Sequence, residues 1–242
     1  MGTLVWTELR TLSRNTTFLL ITIALPVVFF LVMSEVFGGQ DAGGFDMARY
    51  MMISMAAFAA MSVSIAVGTR VGQERLAGWN RQLRLTPLPG WAYVASKVVV
   101  ALALVLPAVA LVFLAGLAIK GVSLSGGQWL GLLVTVWLGS LPFGVIGLAL
   151  GLAVKPDAAE GVGVAVYLPM AMLGGLWVPV EVLPPFMAAV AKALPSYWVA
   201  ENARRQLADG LPGLAGPAVA LGWFAVVGIA VAALYRRDAA RI

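Results

Sequence analysis

Apolar residues in this chain run in long uninterrupted blocks, and the charges are confined to the gaps between them. Charge-free windows cover 15–34, 50–69, 98–119, 129–154, 161–180 and 210–235. Each suits a helix that crosses hydrocarbon, which needs about 20 apolar residues and pays about 2.5–3.5 kcal/mol for a central Lys, Arg or Asp. The continuous apolarity does not fit the alternating pattern of an outer-membrane barrel. The pattern therefore predicts an all-α membrane protein with six transmembrane helices, at about 16–37, 50–70, 98–119, 129–154, 161–178 and 212–235. A loop-like run, Ser123 to Gln128, divides the third span from the fourth.

Three segments lie between the spans. In 1–15, Val5, Leu9 and Leu12 recur at helical spacing beside Trp6, with Glu8, Arg10 and Arg14 on the other faces. This predicts an amphipathic helix lying in the membrane interface. The stretch 70–97 is the most charged part of the chain. There Leu76, Trp79 and Leu83 recur at spacings of three and four beside the basic Arg75, Arg81 and Arg84, and Pro87 biases Thr86 away from helix. This predicts a short helix over 74–85 with an apolar ridge and a basic flank. Between 180 and 209 the chain is apolar but broken by Pro184, Pro185 and Pro195. Two short outer helices, at 186–194 and 199–207, fit better than a seventh span, and they must pack on protein to cover their backbone.

Composition agrees: 61% of the 242 residues are hydrophobic, 11% are charged, and mean hydropathy is +0.95. Soluble domains are about half apolar and a quarter charged. With no His and no Cys, disulfides, thiolate chemistry and imidazole bases are excluded. No carboxylate pair falls within a span, which argues against a proton-coupled pump. The net charge of +5 marks a membrane face rather than a nucleic-acid footprint. With the N-terminus in the cytoplasm, eleven of the 16 Lys and Arg residues fall inside. The positive-inside rule then places both termini in the cytoplasm. The Ala, Gly, Val and Arg bias points to a bacterial cytoplasmic membrane.

Within the spans, Gly144, Gly147 and Gly151 permit close helix approach, more readily inside one chain than between two. Pro26, Pro107, Pro142 and Pro169 are candidate kinks. Met51, Met55 and Ser62 in the second span, with Tyr167, Met170 and Met172 in the fifth, offer a soft, polarizable lining for a substrate pathway.

Glu74-Arg75, then Gly78, Leu83 and Leu85-Thr86-Pro87-Leu88, with Lys97 opening the next span, resembles the segment between spans two and three of type-2 ATP-binding-cassette (ABC) transporter permeases. Gly175-Leu176-Trp177-Val178-Pro179, Leu183-Pro184-Pro185 and Leu194-Pro195-Ser196-Tyr197 are similar to that family's region before the last span. The resemblance implies an exporter permease that works with a second permease subunit, the same chain or a paralogue, and with two ABC ATPase subunits. ATP and Mg would sit on those ATPases, since this chain lacks a phosphate-binding Gly-rich loop and needs no cofactor of its own. Residues Glu74, Arg75, Leu76, Gly78, Trp79, Arg81, Leu83, Arg84, Leu85, Thr86 and Pro87 would form the coupling helix seated in the ATPase. The cargo implied is an amphipathic or lipophilic compound, drug- or lipid-like, moved outward. The alternative is a non-transporting membrane module, a sensor or assembly factor, attached to the same ATPase.

Overall fold

The computed structural model describes residues 2–37, 41–42, 45–78, 90–209 and 214–240. Apart from a two-residue antiparallel ladder that sets Asp41 opposite Asp46, the regular structure among these residues is helical.

Helix α1 spans Gly2–Ser13 and turns Leu12 fully into the protein, with Val5 and Leu9 packed alongside. After Asn15 the chain re-enters helix as α2 (Thr16–Leu19), widens into a π turn (Leu20–Ala24) and continues as α3 (Leu25–Val36). Pro26 opens α3. Its missing N–H and bulky ring disturb the preceding turn, and the π turn absorbs that disturbance.

Helix α4 (Met47–Thr69) forms the centre of the molecule and is buried on nearly every face. It packs most extensively on α6 (Gly90–Ala118) and α8 (Leu141–Ala153), and also meets α3, α9 (Ala159–Leu173) and α11 (Pro195–Asp209). Close approach to α8 depends on glycine. A Cβ on Gly147 would lie 2.5 Å from the carbonyl oxygen of Ile65, and one on Gly68 would lie 2.5 Å from the Gly147 backbone. A Cβ on Gly151 would come within 2.8 Å of the Gly68 oxygen, whereas Gly144 faces only the Ala101 methyl at 4.0 Å. Gly147 and Gly151 therefore pack inside this chain.

Several predicted boundaries move. Of the helix expected at 74–85, Glu74, Arg75 and Leu76 belong to α5 (Val71–Leu76), which begins earlier, while 79–85 lie outside the described residues. Gly78 then adopts φ 69°, a left-handed conformation that terminates a helix. The window 129–154 is two helices, α7 (Gly126–Gly139) and α8, divided at Ser140 because Pro142 has no N–H to continue the ladder. Helix α7 starts at a capping box in which Ser125 and Gln128 exchange backbone-to-side-chain hydrogen bonds. The fifth window, expected at 161–178, holds the 15-residue α9, about 22 Å long at 1.5 Å per residue. It stops at Leu173, and Gly175 with φ 73° turns the chain back.

After a single 3₁₀ turn (Val180–Val182), α10 (Pro185–Ala193) and α11 follow, each opening on a proline. Ser196 donates to the Met170 carbonyl at 2.7 Å, fastening α11 to α9. Helix α12 (Ala215–Ala240) lies on the periphery against α8 and α11. Among the described residues, four helical stretches are long and apolar enough to cross a membrane: Met47–Leu76, Ala92–Ala118, Gly126–Ala153 and Ala215–Tyr235. Leu20–Val36 and Ala159–Leu173 are shorter apolar helices. Together they make a multi-pass membrane protein.

Candidate functional site

One end of the bundle gathers α1, α5, the start of α6, the end of α8 and the start of α9. Its hub is Lys97 in α6. Lys97 sits on the same stripe as Tyr93, Val100, Ala101 and Leu104, and it is only 2% exposed. A cation buried so fully requires charged partners. Its ammonium donates to Glu8 Oε1 of α1 at 2.6 Å and to Glu74 Oε1 of α5. The second oxygen of Glu74 accepts from the Tyr93 hydroxyl at 2.5 Å, and the Tyr93 ring stacks on Tyr235 of α12.

Burial raises the pKa of Glu8 above its ordinary 4.5, outweighing the opposite pull of Lys97. A raised acid holds its proton more tightly in the folded state. Its contribution to stability is then complete below 4.5 and is lost as pH rises through the folded value. Glu8→Gln is expected to remove that loss. In detergent, the melting temperature of the unmodified chain should fall relative to Glu8→Gln as pH is raised from 4.5. A difference that stays constant with pH would contradict this.

Beside Glu74, Arg75 turns its Nη1 to the end of α8 and donates to the carbonyls of Gly151 (3.0 Å), Leu152 (3.1 Å) and Val154 (3.3 Å). These are the acceptors a helix C-terminus leaves unbonded. Glu74 and Arg75 therefore face back into the bundle. Leu76 is 59% exposed and faces outward. Gly78 terminates the turn. Trp79, Arg81, Leu83, Arg84, Leu85, Thr86 and Pro87 lie outside the described residues.

Close to the same end, a cleft of about 190 Å³ opens between α2 and the π turn, α4, and α9. Its lining includes the apolar Ile21, Ile65, Val164 and Tyr167 and the polar Asn15, Thr17, Thr69, Arg70 and Glu160. Of the residues expected along a pathway, Tyr167 lines this cleft. Met51, Met55 and Ser62 are buried inside α4, Ser62 donating to the Ala59 carbonyl. Met170 is buried, and Met172 is 49% exposed. Above Tyr167 an aromatic ladder continues through Phe58 (5.9 Å) and Trp177 (5.6 Å further) to Phe29.

At the opposite end, α11 rests on α4 through Arg204. Its guanidinium lies 4.5 Å from the Tyr50 ring centroid, donates to Ser54 Oγ at 3.3 Å and pairs with Glu201. Among the described residues, no three His, Cys, Asp or Glu side chains cluster as metal ligands would.

The sequence reading missed Glu8, Tyr93 and the α8 terminus as members of the hub. One signal was available, namely Lys97 on an otherwise apolar helical stripe. The others are brought together only by the fold.

The family described as ABC-2 type transporter matches residues 1–207. A protein of Bacillus subtilis (strain 168), YvfS, named as a transport permease, is 30% identical over 206 residues, covering 85% of this chain and 84% of that protein. The chain belongs to the ABC-2 type transporter family, as a membrane permease whose ATP hydrolysis takes place on a separate subunit.

Proposed function

We propose that this chain is the permease subunit of an ABC exporter, crossing the bacterial cytoplasmic membrane six times with both termini in the cytoplasm. The two shorter apolar helices serve as the first and fifth spans. On this reading α9 needs only partial depth, because α10 and α11 fill the outer leaflet beside it. A second permease subunit completes the pathway, and two ATPases carrying ATP and Mg dock beneath. The cargo is an amphipathic or lipophilic compound collected from the inner leaflet.

The observation that carries this reading is the connection between α4 and α6. Its first turn is anchored inward by Glu74 and Arg75 and presents Leu76 outward. A segment rooted in several helices that turns an apolar side chain outward is suited to transmit a push from a partner. The cleft at the same end is lined by both apolar and polar side chains, as an amphipathic compound requires.

The test replaces Leu76, Trp79 and Leu83 together by alanine. A tagged chain purified from its own membrane in mild detergent should carry a stoichiometric ATPase. The triple variant should lose at least tenfold in ATPase affinity, as expected when buried apolar anchors worth about 2 kcal/mol or more are truncated. Retention of ATPase by the variant would remove the docking assignment. A bound ATPase that drives no export from vesicles would favour the non-transporting module.

A further inference from the structure

Lys97 joins two elements that meet elsewhere through other partners. Helix α1 packs chiefly on α6 and α2, while α5 packs on α8, α4 and α9. Each offers one carboxylate, Glu8 and Glu74, to the same ammonium.

On the α5 side the joint is rigid. Arg75 holds three carbonyls at the end of α8. Gly72 lies so close to the next segment that a Cβ there would stand 2.6 Å from the Ala159 methyl and 2.7 Å from the Pro156 oxygen. On the α1 side, Leu12 is fully buried and Glu8 supplies the polar contact. A buried ion pair contributes little net stability compared with apolar packing of the same volume, but its directed hydrogen bonds fix geometry. Burial also works against ionisation of Glu8. What the joint provides is position.

Both elements also lead into the lining of the cleft. Asn15 and Thr17 follow directly from α1, and Thr69 and Arg70 lead directly into α5. We infer that Glu8, Lys97 and Glu74 lock α1 and α5 into a single rigid lever, so that these parts of the cleft lining keep their spacing while the ATPase moves the lever. The three are positioning residues. They touch neither cargo nor nucleotide, and they make α1 a driven part rather than a passive anchor. The inference rests on the exporter reading above.

The chain contains no cysteine, so engineered cysteines carry spin labels without background. Exposed Thr11 and Gln73 report the distance between α1 and α5, and Gln73 with Ser123 reports motion of the lever relative to the far end of the bundle. The complex with its ATPase, reconstituted in lipid, is measured by pulsed electron resonance before and after trapping with ADP and vanadate. The Thr11–Gln73 distribution should be narrow and unchanged by trapping, while the Gln73–Ser123 distance shifts. Glu8→Ala leaves the Lys97–Glu74 pair in place. In that variant the Thr11–Gln73 distance should broaden and shift on trapping, with ATPase still bound.

A Thr11–Gln73 distance that shifts in the unmodified complex, or one unaffected by Glu8→Ala, would overturn the rigid lever and leave the exporter reading standing. No ATPase in the complex, or no Gln73–Ser123 response, would overturn both. If Glu8→Ala yields no folded protein, Glu8→Met removes the acceptor at nearly constant volume, and the same two outcomes decide.

Discussion

Leucine in place of Gly147 is expected to prevent this chain from accumulating as folded protein. A single Cβ at this position would meet the Ile65 carbonyl oxygen at 2.5 Å and the Ile65 Cα at 2.8 Å. Both atoms belong to backbone at the centre of the bundle, so no side-chain rotation relieves the clash. Gly68 faces Gly147 under the same constraint, so the strain cannot be passed across the interface. Overpacking a core by a methylene or two already costs about 1–3 kcal/mol. Here the central helix itself must move away from α8. Small residues at such crossings are what allow membrane helices to pack by van der Waals contact. Gly144→Ala is the control, since its nearest neighbour is a methyl at 4.0 Å, and it should change stability by less than about 0.5 kcal/mol. Expression level and gel-filtration profile in detergent, compared for the two variants, provide the measurement. A monodisperse Gly147→Leu protein at normal yield would contradict the packing described.

Removing the ammonium at the hub should have the next largest effect. Lys97→Ala leaves Glu8 and Glu74 directed at one another in a space that their shared cation fills at 2% exposure. Breaking a buried ionic cluster by deleting one partner costs about 3–5 kcal/mol, because the remaining charges stay desolvated. Neutralising the whole cluster is a different perturbation. Glu8→Gln with Lys97→Met and Glu74→Gln keeps the shape and removes every charge, so most of the lost stability should return. Thermal unfolding of the three proteins in one detergent separates these cases. Equal destabilisation of the single and triple variants would show that volume, rather than charge, holds this end together.

The apolar blocks were legible in the sequence because the cost of inserting a charge acts residue by residue and leaves charge-free windows. The Gly147 and Gly151 contact was legible for a similar reason, since a four-residue spacing of glycines on a helix has few other uses. The end of α5 was not. Leu76, Trp79 and Leu83 keep helical spacing through Gly78, and a glycine inside a helix looks the same in sequence as one that stops it. Only its left-handed φ of 69° separates the two. The inward turn of Glu74 and Arg75 was also hidden. Their partners Tyr93, Lys97 and Gly151 are distant in sequence, and a charged run beside a span reads first as a solvated surface. The division at Ser140 had its warning in Pro142, but a proline within a window is equally compatible with a bend. The short α9 could not be read from 161–178, because the residues beyond Leu173 remain apolar while they turn back.

The burial of α4 has a consequence for how the chain is made. Of the four stretches long enough to cross a membrane, the one containing α4 is the least apolar and the most enclosed. Lipid does not have to accept its Ser54, Ser62 and Ser64 in the finished protein, because neighbouring helices cover them. During synthesis the order is reversed. Helix α4 emerges before α6 and α8, the two helices that will surround it most. The nascent chain must therefore hold its future core in the bilayer or at the insertion machinery until the residues from Arg70 to Ala153, where α8 ends, have been made. Biogenesis of this permease is a delayed enclosure, in which the central helix waits for the later ones that cover it.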